Sequence, residues 1–557
     1  MAGFLGVLEN VNSELNNFIW GPVMLVFFIL VGVLFTVRTG VFQVSKFGLW
    51  MKSTFLAIFK NKKVLRTDDK HAISQFQSLC TALAATVGTG NIVGVATAIA
   101  LGGPGAVFWM WFSAFLGMMT NYAENTLGIK YRFRDEKGHW VGGAMHYMER
   151  GFKWKRVGKV FAVLFSIFCT LASFGIGNMS QGNSIASGIQ GAFFPQYGAV
   201  EVTGENRASL VDNYFVETDV TDANREDLTN IRTVGRVTEN EDGTQTTVWA
   251  EVGDNEFGYP SAFGINGSLL VKSIIAIIIM VFVALVIIGG IKRIASVTEK
   301  IVPFMVLLYL IGGLVIIFVH FDGIGRAFTL IFGEAFKMQS AAGGFVGYGI
   351  AMAMRRGISR GVFSNEAGLG SSVMVHSASD VKEPVIQGMW GIFEVFADTI
   401  IVCTITALSI LTSGVYNLGE HLKTLAENGG SLPDAMTGAG LTQAAFSTVF
   451  GSIGAPFVSI AILLFAFSTI LGWSYYGERS WTYLFGSKTT TIYKVIFIAV
   501  IYFGCTSGLS LVWDISDTFN GFMAVPNLIA VTLLSGQVVQ MTRDYLAKRR
   551  GKLSGRA

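Results

Sequence analysis

Two short runs of small and polar residues lie inside segments otherwise apolar enough to cross a bilayer, and they are where this chain could do chemistry. The first, Thr86-Val-Gly-Thr-Gly-Asn-Ile-Val-Gly94, sets three glycines, Thr89 and Asn91 into the apolar stretch 72–101. Lipid cannot hydrate backbone, so a helix broken at mid-depth persists where its freed N–H and C=O groups are buried in protein or face a solute. N–H groups that open the second half of such a helix sit at the positive end of its dipole and suit a carboxylate. Gly88, Thr89, Gly90 and Asn91 are the candidates. The carbonyls of Thr86 and Val87 and the amide oxygen of Asn91 are oxygen donors of the kind a hard monovalent cation requires. Close helix packing also uses glycine, but packing calls for neither Thr89 nor Asn91.

The second run, Arg360-Gly-Val-Phe-Ser-Asn-Glu-Ala-Gly-Leu-Gly370, interrupts the stretch 341–372. An ionisable side chain at that depth is costly and reads by default as functional, which singles out Glu366 beside Ser364 and Asn365. An ion pair from Glu366 to Arg355, Arg356 or Arg360, locking an unwound segment around Gly368, explains the same residues structurally. Phe363 is placed to form an apolar wall beside a small solute. Ser468 and Thr469, with Trp473 a turn further on, form a third polar patch, although adjacent hydroxyls commonly bond back to their own helix. Gln181 and Asn183 are weaker candidates on the stretch 158–194.

The elements that must hold these residues are membrane helices. Over 557 residues the chain is 52% hydrophobic and 14% charged, with mean hydropathy +0.53, which excludes a soluble multidomain protein. Apolar runs near 18–37, 72–101, 104–129, 158–194, 268–290, 297–319, 341–372, 386–412, 453–476, 490–510 and 519–541 give eleven candidate crossings. The loop 38–70 carries eight Lys/Arg, the loop 130–159 carries nine, and the tail 542–557 is basic. The positive-inside rule then puts the N-terminus outside and the C-terminus in the cytoplasm of a bacterial or archaeal plasma membrane. Residues 18–37 read as a retained first span rather than a cleaved signal.

Removing that span leaves ten, which divide into 71–320 and 321–541, each with five crossings, so the second half is inverted and the first span of each half is expected to be the broken one. Residues 1–70 hold the extra helix and a segment, 42–60, whose Phe42, Phe47, Trp50, Phe55 and Ile58 should lie along the cytoplasmic interface. The connection 195–266 holds fourteen Asp/Glu against four Lys/Arg. It is read as an outer insert, either a small β-rich cap or a flexible acidic segment.

Enzymatic readings fare poorly. The six histidines show no metal-ligand pairing and no phosphate-binding Gly-rich loop ends in Lys-Ser/Thr, so ATP is not the energy source. The small net charge of +4 points to no nucleic-acid partner, and the four cysteines, all in apolar spans, to packing rather than disulfides.

Thr86–Gly94, the Gly102-Gly-Pro-Gly-Ala106 turn, Glu124 with Lys130-Tyr-Arg132, Gly142-Gly-Ala-Met145, Arg356–Gly370 and Phe467-Ser-Thr-Ile-Leu-Gly-Trp-Ser-Tyr-Tyr-Gly-Glu-Arg479 together resemble the alanine or glycine:cation symporter family. The resemblance spans nearly the whole chain outside 195–266. It implies an all-α fold with one extra helix before the five-plus-five inverted repeat of the leucine transporter, and sodium-driven uptake of alanine or glycine, D-alanine included, with no organic cofactor. Carried over by position, Gly88, Gly90 and Asn91 would take the substrate carboxylate with Gln181, and Thr469 and Trp473 would line the side-chain end. Asn91 and Ser364 would ligate one sodium ion, and Ser468, Thr469 and the Val87 carbonyl a second. A proton-coupled or glutamine-type carrier, or an amino-acid sensor using the insert as its output, are the alternatives.

Overall fold

The computed structural model describes residues 2–198, 200–201, 210–216, 237–239, 245–247, 256–262, 265–336, 350–427, 432–433, 436–507 and 510–554. Among these, seven helices are long and apolar enough to cross a membrane, or up to nine when two bent pairs each count as one crossing. The lipid-facing sides are plain from their exposure. On Gly267–Ile287 a stripe of Ile274, Ile278, Phe282 and Leu285, each more than half exposed, is an apolar face that only hydrocarbon covers without penalty.

Helices start and stop where local chemistry dictates. Ser74 caps the Gln75–Thr86 helix through a reciprocal capping box with Gln77, which satisfies two otherwise orphaned N–H groups. Pro384 opens Pro384–Val395 at a position that needs no donor. The long Gly105–Tyr131 helix falls outside the apolar set because its inward face carries Asn121, Glu124 and Asn125, all buried. Gly32 allows the first span to rest on it, since a Cβ there would lie 2.7 Å from Leu116.

The break expected in the second crossing is present: Gln75–Thr86 and Gly90–Gly102 meet at 52° across residues 87–89, and the second half opens with a wide π-helical turn over Gly90–Gly94. The break in 341–372 is present in its described part, where Ile350–Asn365 and Val373–His376 flank seven non-helical residues, 366–372; 341–349 lie outside the described residues. Two further π-helical turns, Gly175–Met179 and Phe396–Cys403, interrupt spans read from sequence as continuous.

The described parts of the insert after the Pro195–Tyr197 turn are β-strands. Val200–Glu201 and Leu210–Val216 both pair antiparallel with Glu256–Ala262, and Val237–Glu239 pairs with Gln245–Thr247; the rest of the insert lies outside the described residues. The interfacial reading of 42–60 needs one correction. Phe42 and Trp50 are buried, while Phe47 and Phe55 stay exposed, because the Trp50 indole N–H reaches back to the Gln43 carbonyl and turns the ring inward.

Candidate functional site

Val87 leaves the helical region (φ −78°, ψ 84°) and ends the first half-helix. The backbone beyond it is confined from two sides. A Cβ on Gly88 would lie 2.4 Å from Thr469 Oγ1, and one on Gly90 3.2 Å from the Phe363 ring. Glycine is thus required by close approach, and the two interrupted spans and the Gly454–Phe485 helix meet at the break.

Inside the break the polar groups bond locally and to one distant carboxylate. Gly88 N–H donates to Thr86 O and to Asn91 Oδ1, each at 2.9 Å, and Asn91 N–H donates to Gly88 O at 3.2 Å. Asn91 Nδ2 donates to Asp398 Oδ1 at 2.8 Å. The second oxygen of Asp398 accepts from Ser364 Oγ at 2.8 Å and from Thr399 Oγ1 at 2.7 Å. Asn365 Nδ2 donates to Thr399 Oγ1 at 3.0 Å, and Thr406 Oγ1 donates to Asn91 O at 2.7 Å. All these side chains are buried, and Asp398 is wholly so. Among the described residues no Lys, Arg or His pairs with Asp398; its bonded neighbours are neutral, and the charged groups beside it are two further carboxylates, Glu394 and Glu366. Lone buried carboxylates are strongly disfavoured, so this one is built to meet a cation or a proton.

Ser468 and Thr469 face the first half-helix. Their hydroxyls donate to Ala84 O at 3.3 and 3.1 Å while also bonding back to Phe465 O. The carbonyl they meet is Ala84, where Val87 was expected. The helix ends at Thr86 and Gly88 N–H turns to Thr86 O, which leaves the Ala84 carbonyl without its intrahelical donor. The Thr86 hydroxyl is spent on Ala82 O at 3.3 Å.

Two candidates keep a free polar atom. Thr89 Oγ1 and Gln181 Oε1 are buried without a hydrogen-bond partner among the described residues; the Gln181 amide N–H donates to Ile176 O at 3.0 Å across the Gly175–Met179 turn. As placed, Gln181 offers an acceptor, which matches an ammonium better than the carboxylate expected for it. Trp473 is 1% exposed, packs where a Cβ on Gly177 would lie 2.3 Å from its own Cβ, and sits beside the Glu366 carboxylate. Asn183 Nδ2 donates to Ser507 O at 3.1 Å, away from the break.

The second break is held by its own side chains. Glu366 takes a left-handed φ of 56°, Gly368 92° and Gly370 74°; a non-glycine there is strained and must be held. Ser371 Oγ donates to Glu366 Oε2 at 2.5 Å. Asn527 Nδ2 donates to Gly368 O at 2.9 Å and to Glu124, and Tyr147 OH donates to Asn527 Oδ1. The ion pair expected between Glu366 and an upstream arginine is not formed. Arg360 pairs instead with Asp517 at 3.4 Å, its guanidinium 5.2 Å over the Phe363 ring, and Arg355 donates to Asn17 Oδ1 at 2.8 Å. Six residues put positions 360 and 366 about 120° apart around a helix, and the chain leaves the helix at 366.

Sequence reasoning missed Asp398, Thr399 and the Ala84 carbonyl, along with Glu124 and Asn527 as braces. Asp398 carried a legible signal: it is an acid within the apolar run Phe396-Ala-Asp-Thr-Ile-Ile-Val-Cys403.

Known proteins share this chain over nearly its whole length. Over 533 residues, covering 96% of each chain, the protein is 38% identical to the "Sodium/alanine symporter AgcS" of Methanococcus maripaludis. It is 37% identical to an "Uncharacterized transporter" of Haemophilus influenzae, covering 97% of each. It is 32% identical to the "Probable sodium/glutamine symporter GlnT" of Bacillus subtilis, covering 98% of this chain and 92% of that one. The solved structure titled "Crystal structure of MhsT in complex with L-phenylalanine" overlaps 85% of this chain and 99% of its own at TM-score 0.49 and 12% identity, an overlap that by itself decides nothing about the site. The sodium:alanine symporter family matches residues 5–204 and 243–556, and the chain belongs to that family.

Proposed function

We propose that the protein is a secondary active symporter that couples sodium entry to uptake of a small neutral amino acid, alanine or glycine, by alternating access. The observation that carries this reading is the buried Asp398 carboxylate, met by Asn91 and Ser364 from the two interrupted spans and by Thr399, with no basic partner among the described residues. Its donor set is all oxygen once the Asn91 amide turns over, which suits an alkali cation.

The same geometry gives a coupling route. As built, Asn91 Oδ1 is occupied by the Gly88 N–H while Nδ2 faces Asp398. Sodium beside Asp398 repels Nδ2 and draws in Oδ1, so the amide rotates and releases the Gly88 N–H toward the substrate carboxylate. Sodium occupancy thereby raises amino-acid affinity, and linkage makes the effect reciprocal. Thr89 Oγ1 and the Gly90 amide complete the carboxylate end; Gln181 Oε1 takes the ammonium; Thr469 and Trp473 bound the side chain, with Phe363 as an apolar wall. A second sodium ion fits the Ala84 carbonyl with Ser468 and Thr469. The Arg360–Asp517 pair lying over Phe363 serves as a gate, and Glu366 and Gly368 shape the second break.

The finer architecture belongs to the same proposal: eleven crossings, the first outside a five-plus-five inverted repeat, with the N-terminus outside and the C-terminus cytoplasmic. Uptake of labelled alanine into proteoliposomes, with sodium replaced by choline at constant pH, tests the function. Sodium-dependent, saturable uptake with counterflow is expected; undiminished uptake in choline rules out sodium coupling. A proton is the second occupant that a lone Asp398 admits, and uptake driven by an inward pH gradient without sodium would select it. Competition by unlabelled glycine, alanine and glutamine separates the substrates.

A further inference from the structure

Four cations converge at one end of the bundle with no acid to meet them. Lys46 and Lys52 from the Phe47–Ser53 helix and its cap, and Arg549 and Arg550 from the Ser535–Ser554 helix, line a cavity of about 270 Å³. Both helices rest on Pro384–Val395 and leave the cavity between them. None of the four makes a side-chain hydrogen bond or ion pair among the described residues, and what sets them apart from the scattered lysines of this face is that they line one cavity from two helices. The stretch 42–65 contains no Asp or Glu. The single acid of the C-terminal helix, Asp544, is bonded to Gln540 Nε2 at 2.9 Å.

Depth identifies the ligand. Arg38, in the last turn of the apolar Pro22–Arg38 helix, donates to Ser535 Oγ at 2.7 Å, just where the preceding apolar helix gives way to Ser535–Gly551 at a 56° bend. With these two apolar helices read as ending at the membrane boundary, the cavity falls on the polar side of it, where lipid headgroups lie. Phe47, Phe55 and Phe59, at 50%, 39% and 72% exposure, extend from the same stretch and suit the acyl boundary. Leu49 and Leu546 give the cavity an apolar side, and Gly48 keeps it open: nothing lies within 4 Å of where its Cβ would be.

We infer that this cavity is a binding site for the phosphodiester headgroup of an anionic membrane lipid, held by Lys46, Lys52, Arg549 and Arg550. The long stems lie along the apolar side while the charged ends reach the phosphate. Nothing in this assignment depends on the transport reading.

Native mass spectrometry of the full chain in detergent, titrated with phosphatidylglycerol, cardiolipin, phosphatidylcholine or inorganic phosphate, tests it. One phosphatidylglycerol or cardiolipin molecule is expected to bind in preference to phosphatidylcholine and to resist millimolar inorganic phosphate. Its apparent affinity should fall at least about tenfold when all four cations become Gln, and also in Gly48→Glu, which places an acid in the cavity without a clash. Gly48→Ala and a charge-matched set of exposed residues, Lys60, Lys62, Lys63 and Lys137 to Gln, should leave it unchanged. Equal binding of phosphatidylcholine, unaltered affinity in the fourfold variant, or the same loss in the charge-matched set would each overturn the assignment. Displacement by inorganic phosphate would reassign the cavity to a soluble anion.

Discussion

The two interruptions of the bundle are built in opposite ways. At the first, backbone groups bond to near neighbours and Asn91 is held from a distance by Asp398, Cys403 and Thr406; among the described residues two buried candidate acceptors, Thr89 Oγ1 and Gln181 Oε1, are left over. At the second, a strained Glu366 and two left-handed glycines are clasped by Ser371, Glu124 and Asn527, with Tyr147 behind them. Unspent polar groups mark the place where a ligand completes the hydrogen bonding, while the spent ones mark scaffold. On the proposed reading the first break, joined at Asp398 by Ser364 of the second, carries the chemistry, and the rest of the second holds a shape against which it works.

The largest expected effect is on Asp398→Asn, which keeps the shape and removes the charge. Apparent sodium affinity should fall by about two orders of magnitude, as for loss of one partner of a buried ionic contact; a sodium titration of alanine uptake that matches wild type would move the chemistry elsewhere. Next is Gly88→Ala. Its Cβ would lie 2.4 Å from Thr469 Oγ1, and overpacking of about 1–3 kcal/mol translates to a loss of apparent alanine affinity of about 10–100-fold. Gly191→Ala, which meets nothing within 4 Å, is the control and should be silent. Asn91→Ala should lower sodium affinity by about tenfold and, more tellingly, make alanine affinity insensitive to sodium. Persisting sodium dependence of alanine affinity would remove the amide from the coupling route. Asn527→Ala sharpens the contrast from the other side. It strands Glu124 and the Gly368 carbonyl, costing about 1–3 kcal/mol for each orphaned group, so the unfolding midpoint should drop while the sodium affinity of the folded protein holds. A selective loss of sodium affinity at an unchanged midpoint would erase the distinction between the breaks.

The first break was readable from sequence, whereas its partner acid showed only as a lone charge in an apolar run with nothing to say what it meets, because the two give different kinds of signal. Glycine and small polar residues inside an apolar run are local, and Thr86–Gly94 announces itself within nine residues. Asp398 is separated from Asn91 by 307 residues, and only the fold reveals that its one available charge faces both interrupted spans. Ala84 was illegible for another reason: its role belongs to a carbonyl, freed when Gly88 N–H turns to Thr86 O, and no side chain advertises that. Arg360 was found as a charged residue of interest but given the wrong partner, since proximity in sequence favoured Glu366 and helix phase favoured Asp517. The two π-helical turns at Gly175–Met179 and Phe396–Cys403 also left no mark on hydropathy, because widening a helix by one residue changes neither its length in the bilayer nor its composition.

The smallest effect concerns the support beneath the second break. Tyr147, which holds Asn527, stands on the short Ala144–Gly151 helix next to His146. Burial, followed by the charge of Arg150, pushes the His146 imidazole down to about 4, and its ring packs edge-on against Phe133 and Tyr483 at 5.1 and 5.5 Å. In the unfolded chain it titrates near its ordinary value of about 6.5. Between those values the unfolded chain takes up a proton that the folded one refuses, so stability declines as pH falls from about 6.5 toward 4. The loss is about 1 kcal/mol near pH 5.5 and absent at pH 7.5. Asp69 is held below the usual carboxylate range chiefly by the Arg134 hydrogen bond, so its contribution is lost only below about pH 4 and does not blur this window. His146→Phe keeps a ring between Phe133 and Tyr483 and removes the titration. Its unfolding midpoint should therefore be flatter than wild type between pH 7.5 and 5.5, and curves that fall in parallel would show that acid acts on the bundle through some other group.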